Sequence, residues 1–331
     1  MLRFLFSILI LAAPVALAQP KAKGEIVVYS GRNEKLVGPV LKKFEAKTGM
    51  TVRVRYGETP GLAALILEEG KRSPADVYIA QDAGALGLLE KEGRLQPLPK
   101  TLLEKVARED FRSATGKWVG LSGRVRVLAH DTRKLKADAL PTSIDGLTDP
   151  KWKGKIGWAP TNASFQAFVT AYRLAKGDEA ARRWLRGIKA NTPRAYKNNT
   201  AIIEAISRGE VQVGLVNHYY LHAMSRSRKE PLPVANHYLP PKDPGALVNV
   251  AGVGILDTAK NTDQARALVE FLLSPEAQTH FSSETFEYPV VTSVAPSGKL
   301  PPLPKEGSGL DLSKLEDLRG TLELLQSEGI L

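Results

Sequence analysis

The chain contains no cysteine. Disulfides and thiolate metal sites are thereby excluded, and any bound metal has to be held by oxygen or imidazole ligands. Aromatic residues make up only 7%, and no basic run is interleaved with rings that would stack on bases. Beyond the N-terminus no apolar run reaches the roughly 20 residues of a membrane-spanning helix. Neither G-x-S-x-G nor H-E-x-x-H occurs. A secreted hydrolase, considered as a third class, is therefore left without a recognisable nucleophile or zinc signature.

What is present begins with MLRFLFSILILAAPVALAQP. One Arg, an apolar run and Ala16-Leu17-Ala18 read as a signal peptide over residues 1–18. The mature protein is expected to be exported to the periplasm and soluble. The remaining length suggests two domains. The formal charge of +11 becomes about +10 once Arg3 is removed. Its basic residues are scattered over Lys42-Lys43, Lys151/Lys153/Lys155, Arg182-Arg183 and Arg226/Arg228/Lys229, so a solvated surface is expected and no nucleic-acid partner.

The pattern along the chain is α/β. Residues 25–30 (EIVVYS) read as a buried strand. A helix over 34–47 carries Leu36, Val37, Val40, Leu41 and Phe44 on one stripe and stops at Gly49. Strands at 51–56 and 75–79 alternate with helices near 61–70 and 83–91. A βαβαβ order argues for a mostly parallel sheet whose ligands lie beyond the strands' carboxyl ends. The loops Ser30–Asn33 and Ala80–Ala83 are therefore candidates. Residues 118–129, broken at Ser122-Gly123, and 246–256 read as crossings between domains. The same grammar recurs with helices at 162–176, 178–189 and from 199, and a strand at 211–216. Helices follow near 263–273, 275–282 and 312–328, with a Pro-rich linker around 296–305.

Val216–His222 (VNHYYLH) concentrates the most candidate ligands. His218 and His222 have the i, i+4 spacing of a helical zinc pair, but Tyr219 stands where a metalloprotease has its Glu. Asn217 is expected to cap a helix whose first residue is His218. Tyr219 and Tyr220 would then emerge at the positive end of that helix, which favours phenolate. A hard cation such as Fe³⁺ suits paired phenolates; an aromatic wall of the cleft is the alternative. Thr161, Asn162, Ala163 and Ser164 open another helix and offer an anion site or a simple cap. Asn199 does the same at a third. Arg32, in the first βα loop, faces a crevice or is surface charge.

These residues resemble the periplasmic ferric-iron-binding proteins of ABC transporters, a transferrin-like branch of the substrate-binding proteins. The likeness runs through IVVYSGRNE (26–34), SPADVYIAQDAGAL (73–86), GLSGRVRVLAHDTRKL (120–135), DPKWKGKIGWAPTNASFQAFV (149–169), YKNNTAIIEAISRGEVQVGLVNHYY (196–220), DPGALVN (243–249) and EYPV (287–290). It implies a two-lobed periplasmic-binding-protein fold, each lobe α/β with a mostly parallel sheet and the ligand between them. We place the first lobe at 24–124 plus 250–300 and the second at 125–249 plus 301–331. It also implies Fe³⁺ on the phenolates of Tyr219 and Tyr220, and a synergistic anion, carbonate or phosphate. Thr161–Ser164, Asn199 and Asn217 match the anion's binders, with Arg32 and Arg124 available to balance carbonate. Asn33 and Gln81 stand where the best-known members have a His and a Glu, so Tyr196 is a candidate extra phenolate. The implied partner is an inner-membrane permease, and the implied state a monomeric, non-enzymatic carrier. The alternative keeps the fold but binds a lone oxyanion or small organic solute without iron.

Overall fold

The computed structural model describes residues 24–226, 228–298, 300–303 and 310–331. The expected signal peptide lies outside the described residues, as does part of the expected linker. No described helix is long and apolar enough to cross a membrane.

Strand β1 (Glu25–Ser30) leads into α1 (Glu34–Thr48), β2 (Thr51–Tyr56), α2 (Thr59–Glu69), β3 (Val77–Ala80) and α3 (Ala83–Lys91). Val37, Val40, Leu41 and Phe44 of α1 are buried, each worth roughly 1.5–3 kcal/mol of transfer. Gly49 ends α1 at φ 70°, a left-handed conformation that glycine adopts without a Cβ clash. A short helix, α4 (Lys100–Leu103), precedes the long strand β4 (Trp118–Asp131), which is buried along its whole length.

Next come β5 (Ile156–Trp158), α5 (Ala163–Lys176), α6 (Asp178–Ala190), β6 (Arg194–Ala195), α7 (Asn199–Ser207), β7 (Val213–Asn217), α8 (Tyr219–Arg226) and β8 (Val234–His237). The chain returns through β9 (Val248–Ile255), α9 (Thr262–Leu272), α10 (Pro275–Ser283) and β10 (Tyr288–Pro289), and ends in α11 (Leu318–Ser327).

The sheet order is β2-β1-β3-β9-β4-β7-β5-β6, with β8 and β10 also on β4. The βαβ units pair in parallel, β1 with β2 and β3 in one half and β5 with β6 and β7 in the other. Antiparallel β4 and β9 cross between them. This is the expected two-lobed α/β architecture. Strand β4 is one continuous strand, where the sequence suggests a break at Ser122-Gly123; the irregularity is a register shift between Gly120 and Ser122. Trp118–Val125 pair with β9, whereas Arg126–His130 pair with β7.

The C-terminal stretch touches both halves. Residues 312–316 form a 3₁₀ turn against α3, so close that a Cβ on Gly84 would sit 2.6 Å from the Leu315 carbonyl oxygen. Glu316 pairs with Lys91 of α3, and its neighbour Asp317 with Arg173 of α5. The helix expected over 312–328 is thus split at Asp317.

Candidate functional site

The carboxyl end of β3 and the N-terminal ends of α3 and α5 converge on the β4–β9 crossing. They enclose a small cavity of about 30 Å³ lined by Gln81, Asp82, Arg124, Arg126, Ala163, Ser164, Asn217, Leu247 and Asn249. Both halves contribute. Larger hollows exist elsewhere, one of them between α1, α9 and residues 291–293, where none of the candidate residues sits.

One wall is a polar network built on helix starts. Asn162 caps α5, its Oδ1 accepting from the Ser164 N–H at 3.1 Å and Ser164 Oγ at 2.6 Å. Asn199 Nδ2 donates to Asn162 Oδ1 at 3.2 Å, and Asn199 Oδ1 accepts from the Asn217 N–H at 2.9 Å. Into this network runs Arg126, a residue the sequence reading did not single out. Its Nη1 donates to Ser164 Oγ at 3.1 Å and its Nη2 to the Leu215 carbonyl at 2.9 Å. The side-chain Oδ1 atoms of Asn217 and Asn199 lie 3.4 and 3.5 Å from Nη1.

Arg126 is 2% exposed, and no carboxylate pairs with it among the described residues. Burial pushes its pKa down to about 9, while Tyr220 and Tyr219 pull it back up. It still carries its charge at neutral pH, a charge that burial makes costly. Arg124, two residues earlier, is also buried, and its Nε and Nη1 have no hydrogen-bond partner. Asp82 lines the same cavity; burial pushes its carboxyl up and Arg124 draws it back.

Beside the arginines stand the two tyrosines. The rings of Tyr219 and Tyr220 stack, with centroids 4.3 Å apart and 27° between planes. Tyr219 is buried and Tyr220 partly so. Burial and Tyr220 push the Tyr219 phenol well above its usual range, against the pull of Arg124. Both phenols act electrostatically on Arg32 and Arg126.

The local fold differs from the expectation. Asn217 ends β7 instead of capping α8, which starts at Tyr219, because its N–H donates to Asn199 Oδ1 and its own side-chain Oδ1 accepts from Arg126 Nη1. His218 sits between the elements, fully buried. Its Nδ1 accepts from the Val125 N–H at 3.1 Å and its Nε2 donates to the Phe286 carbonyl at 2.8 Å. Both ring nitrogens are used within the protein, and burial holds the imidazole pKa down to about 3. The i, i+4 pair with His222 is therefore no metal site.

Other candidates are placed differently. Arg32 is buried and forks onto Glu287, so its charge is already matched. Burial raises the Glu287 carboxyl, but Arg32, joined by Arg124 and Thr285, outweighs it and holds the group below the usual value. Sequence reading missed Glu287. Asn33 is exposed and caps α1 through the Leu36 N–H at 3.2 Å, whereas Gln81 lines the cavity. Thr161 is exposed. Tyr196 is away from the cavity lining; its hydroxyl donates to Glu210 Oε2 at 3.2 Å. Among the described residues, no group of three or more His, Cys, Asp or Glu is arranged to hold a metal.

Comparison with known proteins agrees with this architecture. The family model for bacterial extracellular solute-binding proteins matches residues 72–309. The chain is 34% identical to the major ferric iron-binding protein of Neisseria meningitidis over 97% of both chains. It superposes on iron-bound HitA from Pseudomonas aeruginosa with a TM-score of 0.86 at 34% identity, covering 92% of this chain and 99% of that one. A Trichodesmium protein in complex with iron and citrate gives 0.82 at 30%, covering 93% and 100%. From the crossing strands, the cavity they enclose and these likenesses, we conclude that the chain belongs to the bacterial extracellular solute-binding protein family.

Proposed function

We propose that this protein is the periplasmic component of an iron(III) ABC importer. It carries Fe³⁺ as cargo on the phenolates of Tyr219 and Tyr220, together with a small anion, and hands it to an inner-membrane permease. It acts as a monomeric binding protein without catalytic activity. The relatives' names point to iron. The observation that carries the reading is a stacked tyrosine pair beside two buried arginines, Arg124 and Arg126, neither of which forms an ion pair among the described residues.

The chemistry follows from the charges. Fe³⁺ displaces the phenolic proton of each tyrosine as it binds. Fe³⁺ with two phenolates keeps one positive charge. Arg124 and Arg126 add two. A dianion such as carbonate offsets two of these positive charges. Arg124 supplies unpartnered N–H groups for it, the Ala163–Ser164 helix start and Asn217 line its approach, and Asn199 holds Asn162 and Asn217 in place behind them. Arg32 takes no part in this balance, because Glu287 neutralises it.

The test is ferric salt with bicarbonate added to iron-free protein, read by phenolate-to-iron charge-transfer absorption. Colour is expected in the wild type and not in the Tyr219→Phe/Tyr220→Phe variant. A colourless wild type would refute the proposal.

A second reading, a lone oxyanion or oxyanion-bearing organic solute, draws on Arg124 and Arg126 and on the amides Asn33 and Gln81 in place of a His and a Glu. Calorimetry with phosphate, sulfate and phosphonates in iron-free buffer separates the two. Tight binding without iron, and no colour with it, favours the second.

A further inference from the structure

His218 joins three parts of the molecule at one imidazole. Its backbone N–H donates to the Val125 carbonyl at 3.0 Å, and its Nδ1 accepts from the Val125 N–H at 3.1 Å. Val125 is the last residue of β4 paired with β9; the next residue, Arg126, is paired with Asn217 of β7. His218 is thus fastened where the crossing strand changes sheets.

Its other nitrogen reaches the opposite half. Nε2 lies 2.8 Å from the carbonyl oxygen of Phe286. An Nδ1 that accepts from an N–H carries no proton, so the hydrogen sits on Nε2 and is donated to Phe286. Phe286 is held at φ 56°, a left-handed conformation unusual for a bulky residue, which persists only where its surroundings enforce it. Glu287, the next residue, takes both hydrogen bonds of Arg32. The imidazole lies tilted over Tyr288, with centroids 4.9 Å apart, and edge-on to Tyr219 at 5.8 Å.

We propose that His218 is a positioning residue. Through the Phe286 carbonyl it fixes the Tyr219–Tyr220 pair against the wall formed by the first half, and so sets how the two phenol oxygens face the cargo. The bond to Val125 serves the strand crossing, whereas the bond to Phe286 serves the tyrosines. The inference rests on the iron reading for its consequence but not for its geometry.

Two substitutions divide the bonds. His218→Asn keeps an acceptor near Nδ1 for Val125 and loses the donor to Phe286. His218→Gln keeps a donor near Nε2 for Phe286 and loses the acceptor. Three readouts apply: the charge-transfer band of the iron-loaded protein, the rate of iron loss to excess chelator, and the near-ultraviolet circular dichroism of the stacked tyrosines in iron-free protein.

His218→Asn is expected to move the band, speed iron loss about tenfold, the weight of one buried hydrogen bond, and change the tyrosine dichroism. His218→Gln should keep all three close to wild type, even where its thermal midpoint falls as far. Equal changes in both variants, or none in either, overturn the proposal. Should the wild type take up no iron, the iron reading fails, and the dichroism of iron-free protein still decides the role of His218.

Discussion

Arg32 and Glu287 meet through two parallel hydrogen bonds, Nη1 to Oε1 at 2.9 Å and Nη2 to Oε2 at 2.6 Å, with neither side chain exposed. A buried pair of this kind is costly to break from one side, because the survivor keeps its charge without a partner. Glu287→Gln is expected to lose about 3–5 kcal/mol of stability, measured by urea unfolding. Arg32→Met/Glu287→Met should recover most of that loss. A loss below about 1 kcal/mol in Glu287→Gln would show that water or another group reaches Arg32.

Arg126 predicts effects of opposite sign on stability and binding. It is buried, with no acid paired to it among the described residues, over the rings of Phe165 and Phe168. Arg126→Met keeps much of the packing and removes the buried charge. The iron-free protein should melt at the same temperature or higher. Anion-dependent iron binding should weaken about 10- to 100-fold, the range of a charge-assisted hydrogen bond. Scanning calorimetry and competition with a chelator at fixed bicarbonate check the two halves. A variant that is destabilised but binds normally contradicts the placement of the anion.

Tyr196→Phe should leave iron affinity within about twofold. Its hydroxyl already serves Glu210, away from the cavity lining. A colour change in this variant would restore Tyr196 as a ligand.

Glu328 gives a pH dependence. It accepts from Arg182 Nη1 at 2.7 Å and Arg186 Nε at 2.8 Å, and these partners hold its carboxyl down to about 2, against an ordinary 4.5. A depressed folded pKa means stability that is present above about 4.5 and fades as pH falls towards 2. Wild type should therefore exceed Glu328→Gln in unfolding midpoint at neutral pH, and the gap should narrow between pH 4.5 and 2. A gap that stays constant over that range would show that the pair contributes no linkage.

Much of this was readable from local pattern. The βαβ order, the Gly49 stop and the strand-to-helix placement of Tyr219 and Tyr220 depend on neighbours in sequence. What was not readable depends on distance. Glu287 lies 255 positions from Arg32, so no spacing rule joins them, and Arg32 on its own looked equally like an anion binder or surface charge. Arg126 sits in the alternation G-R-V-R-V, which normally puts its polar face in water. Here β4 is covered on both sides, so both arginines are buried. Asn217 has the composition of a cap, but long-range partners claim it first.

The point at which β4 changes partner bears on how a bound anion would leave. Arg124 lies opposite Asn249 of β9, and Arg126 opposite Asn217 of β7. One residue, Val125, separates two guanidinium groups that travel with different sheets. Rotation of one half against the other about Val125 would draw these charges apart, and an anion bridging them would be left on a single arm. Parting the two guanidinium groups would loosen the anion, the metal would lose its counter-charge with it, and the two phenolates would take back the protons given up on binding.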